Sequence, residues 1–143
     1  MPVVRNPQFY FKEGFCWSDI NTTFLKCQKK QKSVNDVKSM SLYALTEIVP
    51  ESFIVSVINS TFISYYVNDF VNNTQTFQMN DARQLPIVIP TQKRLLEFEN
   101  LFNSAIIIKQ KQFSNLMSEN EAETMLIEIQ EKLDRMVIEL YCV

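Results

Sequence analysis

The sequence predicts an α+β fold: a small mixed sheet-and-helix unit over residues 1–90, then an antiparallel helical hairpin over residues 91–143. Three observations carry that reading. The first 45 or so residues hold short aromatic runs separated by polar stretches, the pattern of strands and turns. From Glu51 the apolar residues fall at helical spacing. After Pro90 two long segments repeat apolar residues at three- and four-residue steps around a short connector. At 143 residues and 46% hydrophobic content, the chain is long and apolar enough for one packed core.

Taken in order, Gln8 to Ser18 is rich in aromatics and broken once by Glu13-Gly14, which reads as two short strands and a turn. Phe24 to Gln28 reads as a further strand and Met40 to Leu45 as another. Lys29 to Ser39, polar and basic, reads as an exposed loop. Phe53, Ile54, Val57 and Ile58 follow Pro50 at helical spacing, and proline suits a helix start. Asn59 or Ser60 caps a second helix, with Phe62, Ile63, Tyr66, Val67 and Phe70 expected on one face. An amide-rich connector, Asn72 to Gln84, leads to a short apolar strand, Leu85 to Ile89, closed by Pro90.

Thr91 can cap the first helix of the hairpin, where Leu95, Phe98, Phe102 and Ala105 line up. Leu101, Ile106, Ile107 and Ile108 make this helix apolar beyond one seam, so it should also pack on the preceding unit or on a partner. Ser118-Glu119-Asn120-Glu121 is a capping box that opens the last helix. There Ala122, Leu126, Ile129, Leu133, Met136 and Leu140 form a heptad seam.

Two scarcities exclude whole classes of chemistry. The chain has no histidine, so a Ser-His or Cys-His nucleophile pair or a histidine metal site cannot be built from it. It has one glycine, Gly14, so no glycine-rich loop can press backbone against a phosphate. Cys16, Cys27 and Cys142 are odd in number and lack ligand spacing, which predicts reduced thiols and a cytoplasmic location. No run of eighteen apolar residues predicts a membrane span, and the N-terminus lacks the apolar centre of a signal peptide. On this reading the sequons at Asn21, Asn59 and Asn72 are chance matches in an Asn-rich chain.

The net charge of −2 is unevenly spread: residues 1–50 carry seven Lys and Arg against four Asp and Glu, while the remainder is acidic. Lys26, Lys29, Lys30, Lys32 and Lys38 fall within thirteen residues and could neutralise DNA phosphates, or could form an ordinary solvated loop. The connector offers Asn73, Gln75 and Arg83, side-chain types that pair with base edges; the same types also serve as turn and cap formers. From this chemistry the candidate DNA-binding residues are Lys29, Lys30, Lys32, Asn73, Gln75 and Arg83. No catalytic residue and no metal ligand is expected. Phe9, Tyr10, Phe11, Phe15 and Trp17 could stack on unpaired bases, but as alternating residues of a sheet they suit core packing better.

Three stretches together resemble the specificity domain at the C-terminal end of adenine-specific DNA methyltransferases from bacterial restriction–modification systems. The first is Asn6-Pro7-Gln8-Phe9-Tyr10-Phe11-Lys12-Glu13-Gly14-Phe15-Cys16-Trp17-Ser18, similar to the Tyr-Phe-(Lys/Arg)-Glu-Gly-x-x-Trp start of that region. The second is the run from Asn59 to Pro90. The third, Leu133 to Tyr141, resembles a Leu-Asp-x-x-Val-x-x-Leu-Tyr ending. Asn6-Pro7-Gln8-Phe9 lacks the second proline of the Asn-Pro-Pro-(Tyr/Phe) catalytic motif, and no glycine-rich cofactor strand precedes it. It therefore reads as the lead into the first strand.

The resemblance implies a target-recognition domain over residues 1–90 with a hairpin packed on it, binding double-stranded DNA for the methyltransferase domain of a type II or IIG parent protein. The parent would use S-adenosylmethionine, whereas this piece, lacking the catalytic domain, would hold no cofactor. The alternative is an assembly module whose heptad helices join another subunit, as in type I specificity subunits.

Overall fold

The computed structural model describes residues 48–71 and 79–142 and, as backbone alone, the strands β1 (Gly14–Ser18), β2 (Cys27–Lys30) and β3 (Ser39–Leu42). The strands pair antiparallel in the order β2-β1-β3, with Phe15 opposite Lys29 and Leu42.

Helix α1 (Glu51–Ile58) starts at Pro50, whose extended backbone provides the N-cap conformation, and Glu51 puts an acid in the first turn. At its end Ser60 performs two tasks. Its hydroxyl donates to the Val57 carbonyl at 2.6 Å and accepts from the Ile63 N–H at 3.2 Å. The end of α1 is thereby tied to the start of α2 (Thr61–Tyr66). Helix α2 runs into a π-helical turn at Val67–Val71, and a single short turn, α3, follows at Met79–Ala82.

The hairpin consists of α4 (Gln92–Phe113) and α5 (Glu119–Tyr141). The Thr91 hydroxyl accepts from Arg94 N–H at 3.4 Å and the Ser118 hydroxyl from Glu121 N–H at 3.2 Å, each supplying an acceptor to an N–H that has no helical partner. Asn115 turns the chain between them with φ 56°, a left-handed conformation that asparagine tolerates. Arg94, at the start of α4, pairs with Glu139, at the end of α5, so the helices run antiparallel.

Helix α1 packs on α4, and α2 on α5. Phe53 and Phe98, both fully buried, meet edge to face at 5.1 Å and 75°. Val57, Ile63, Leu95, Leu133 and Val137 complete the core around them.

This arrangement corrects several expectations. Residues 48–71 and 79–142 are 77% helical with no strand or sheet among them, so over these residues the α+β class is replaced by a helical one. The strand expected at Leu85–Ile89 is irregular. Pro86 has no N–H to give to a ladder, and the segment instead lays Leu85 and Ile87 against the helical core. Phe70 was expected on the buried face with Ile63 and Val67 but is 76% exposed. The π turn lengthens the repeat and rotates Phe70 off that face, where its ring contacts Tyr66 at 5.3 Å. On α5, Val137 is fully buried although the heptad count passes over it.

Candidate functional site

The last three turns of α5 hold both flanks of the amide-rich connector. On the near flank, the Asp134 carboxylate accepts from the Thr61 N–H at 3.0 Å and from the Thr61 hydroxyl at 2.9 Å. One carboxylate on α5 thus supplies two acceptors to the first residue of α2. The Gln130 amide donates to the same carboxylate at 3.1 Å and fixes its orientation. About two turns further along α5, Tyr141 stacks on Phe62 of α2, with ring centres 4.6 Å apart and planes 20° from parallel.

On the far flank, the Tyr141 hydroxyl donates to the carbonyl of Pro86. Burial raises the Tyr141 pKa above the usual tyrosine value, and a hydrogen bond from the backbone of Val88 partly offsets this. One aromatic side chain therefore touches the helix before the connector and the strap after it. The strap's Leu85 and Ile87 pack against the core beneath.

The terminal sequence pattern acquires a physical meaning here. Leu133 and Val137 are buried, Leu140 packs on the core, and Asp134 and Tyr141 make the two polar ties. Asp134 and Tyr141 reach α2 and the strap, while the apolar members turn into the core. Two of the three resembling stretches, the Asn59–Pro90 run and the ending, are in contact as one unit.

The candidate DNA-binding residues fall unevenly. Arg83 is exposed just after α3, and its guanidinium donates to the Asn80 side-chain oxygen at 3.2 Å. The Gln84 amide donates to the Asn80 backbone carbonyl at 3.2 Å, so Asn80 organises this corner. Lys29 and Lys30 lie on β2, opposite Phe15 and Gly14, and not in the exposed loop expected for them. Lys32, Asn73 and Gln75 lie outside the described residues, as do Phe9, Tyr10, Phe11 and the Asn6–Phe9 stretch. Sequence reasoning missed Asp134, Tyr141 and Thr61 as a group. The signal was the terminal pattern itself, in which a polar residue sits directly beside an apolar seam.

Across residues 51–142 the charge is acidic, with α5 alone carrying seven Asp and Glu against two Lys and Arg. Among the described residues there is no cluster of three or more metal-ligating side chains, and no helix is long and apolar enough to cross a membrane. The chain matches no family profile and no curated protein.

Proposed function

We propose that this chain is a sequence-specific DNA recognition module that orients duplex DNA for an S-adenosylmethionine-dependent adenine methyltransferase domain of a restriction–modification enzyme. The observation that carries the reading is the double anchoring of the connector by α5: Asp134 on Thr61 before it, Tyr141 on Pro86 after it. A segment that reads base edges must be held to within a fraction of an ångström from both ends, and rigid helices do this better than loops. Between these two anchor points the sequence carries the side-chain types suited to base edges, Asn73, Gln75 and Arg83. Its surroundings are acidic, so phosphate contacts fall to the lysines near the N-terminus: Lys29, Lys30 and Lys32.

The test is selection from a random duplex library by the full chain at low salt, followed by titration of the enriched duplex over a range of salt. The expected result is one enriched site. Replacing Lys29, Lys30 and Lys32 by glutamate should flatten the slope of log affinity against log salt by about 0.9 per lost contact. Replacing Arg83 or Gln75 by alanine should relax preference at one position and leave that slope alone. No enrichment at low salt, or enrichment untouched by all of these changes, would overturn the reading.

A further inference from the structure

The distal half of the hairpin, beyond the reach of α1 and α2, carries apolar side chains that nothing described covers. Phe113 and Leu116 are 80% and 78% exposed and line a hollow of about 730 Å³ at the turn. Just below the turn, a groove of about 400 Å³ runs between Lys109 and Gln112 on α4 and Glu119, Glu123, Leu126 and Ile127 on α5. It reaches Gln130, whose amide donates to the Asp134 that holds α2. Two exposed large apolar groups at a turn, next to a charged groove that also presents Leu126 and Ile127, are characteristic of an interaction surface.

The charges show what kind of partner fits. Lys109 and Lys111 close α4, while Glu119, Glu121 and Glu123 open α5. Among the described residues none of these five forms an ion pair; the Lys109 ammonium instead donates to Gln112 at 3.3 Å. Both signs are therefore present and unspent within a few turns of each other. The apolar pair Phe113 and Leu116 and the groove's own apolar pair, Leu126 and Ile127, lie equally close together. A surface carrying both halves of a contact is self-complementary, which is the condition for a two-fold interface.

We infer that this surface takes a second copy of the chain. Two hairpins overlap antiparallel at their ends, each placing Phe113 and Leu116 over the other's Leu126 and Ile127, with Lys109 of each facing Glu123 of its partner. From Glu119 to Ile127 is about 12 Å of helix at 1.5 Å per residue, so an overlap of about two turns brings these groups together. From Ile129 to Leu140 the heptad seam on α5, an evident candidate for assembly from sequence, packs on the core, and only its Leu126 joins the assembly surface at the tip. The inference does not depend on the DNA reading.

Sedimentation of the full chain from about 1 μM to about 1 mM tests it, since a contact this small should give a weak dimer. The expected result is a reversible monomer–dimer equilibrium that weakens with salt. Phe113→Glu with Leu116→Glu should weaken it roughly tenfold or more, with helical circular dichroism unchanged because both positions are exposed. Lys109→Glu and Glu123→Lys should each weaken association, and the two together in one chain should restore it. A strict monomer throughout the range would overturn the inference and assign the tip to a different partner. So would a dimer indifferent to all four substitutions.

Discussion

Asp134 on α5 and Thr61 at the start of α2 are 73 positions apart in sequence and joined by two hydrogen bonds, at 3.0 and 2.9 Å. The pair converts the last helix into the clamp for a helix formed much earlier in the chain. Removing the carboxylate leaves a helix-start N–H and a hydroxyl without their acceptor. Asp134→Ala should lower stability by about 1–3 kcal/mol, the range for a part-buried bond to a charged group. A double-mutant cycle with Thr61→Ala, followed by urea unfolding, should return a coupling energy of at least about 0.5 kcal/mol. Additive losses would show that the two residues act independently.

Tyr141 predicts an alkaline signature. Burial raises its pKa above the ordinary tyrosine value near 10. The folded chain thus holds the phenolic proton more tightly than the unfolded chain. Its contribution is present in full below the ordinary value and is lost as pH rises through the raised folded value. Tyr141→Phe should remove that part of the decline above about pH 10 while lowering stability near neutrality, since the bond to Pro86 is gone. Thermal melts of both proteins at stepped pH would show parallel curves if the phenol plays no such part.

The Phe53–Phe98 contact predicts the largest single loss. Both rings are fully buried and packed edge to face at the α1–α4 crossing. Phe98→Ala should cost about 3–5 kcal/mol, a large share of the stability of a chain this size. Phe98→Leu should recover more than half of that by filling much of the space. Equal losses for the two variants would mean that the ring geometry, and not the filled volume, sets the stability.

The helical half was legible because its signals are local. Ser60, Thr91 and Ser118 each stand before an apolar periodic run, and each proves to be a working cap. Leu85 to Ile89 misled because alternating apolar residues suit either a strand or a strap lying on a helical core. Only the proline at position 86 favoured the latter. Phe70 misled because a π turn leaves no mark in an otherwise regular helical pattern. Val137 was passed over because strict heptads select 133, 136 and 140, whereas a straight helix with 3.6 residues per turn also turns 137 inward. The candidate site was the least legible part. The tie between Asp134 and Thr61 depends on which helices become neighbours, and no window of sequence contains both.

Ser60 and Ser64, four residues apart, should respond oppositely to the same change. Among the buried side-chain hydroxyls, those of Ser52 and Ser64 have no hydrogen-bond partner. The hydroxyl of Ser60 has two, and Ser60 is fully buried. Ser60→Ala removes a cap and should cost about 1–2 kcal/mol. Ser64→Ala removes a desolvated group that returns nothing in the folded state, and it adds helix propensity. It should be neutral or stabilising by up to about 1 kcal/mol. Urea midpoints decide the matter: a Ser64→Ala loss as large as that of Ser60→Ala would mean the Ser64 hydroxyl is satisfied in solution.

Ser118 provides a local test of the hairpin's end. Its hydroxyl accepts from Glu121 N–H at 3.2 Å and is exposed, so the bond holds the first turn of α5 and little else. Ser118→Ala should cost about 0.5–2 kcal/mol, at the low end given the exposure. The effect should be confined to the amides of Asn120 to Ala122, whose hydrogen exchange should quicken while those of Leu133 and Val137, in the core, keep their protection. Because the same turn borders the groove between Glu119 and Ile127, fraying there should also weaken self-association in the sedimentation measurement. A variant that frays the tip and leaves association unchanged would separate the order of this turn from the contact it borders.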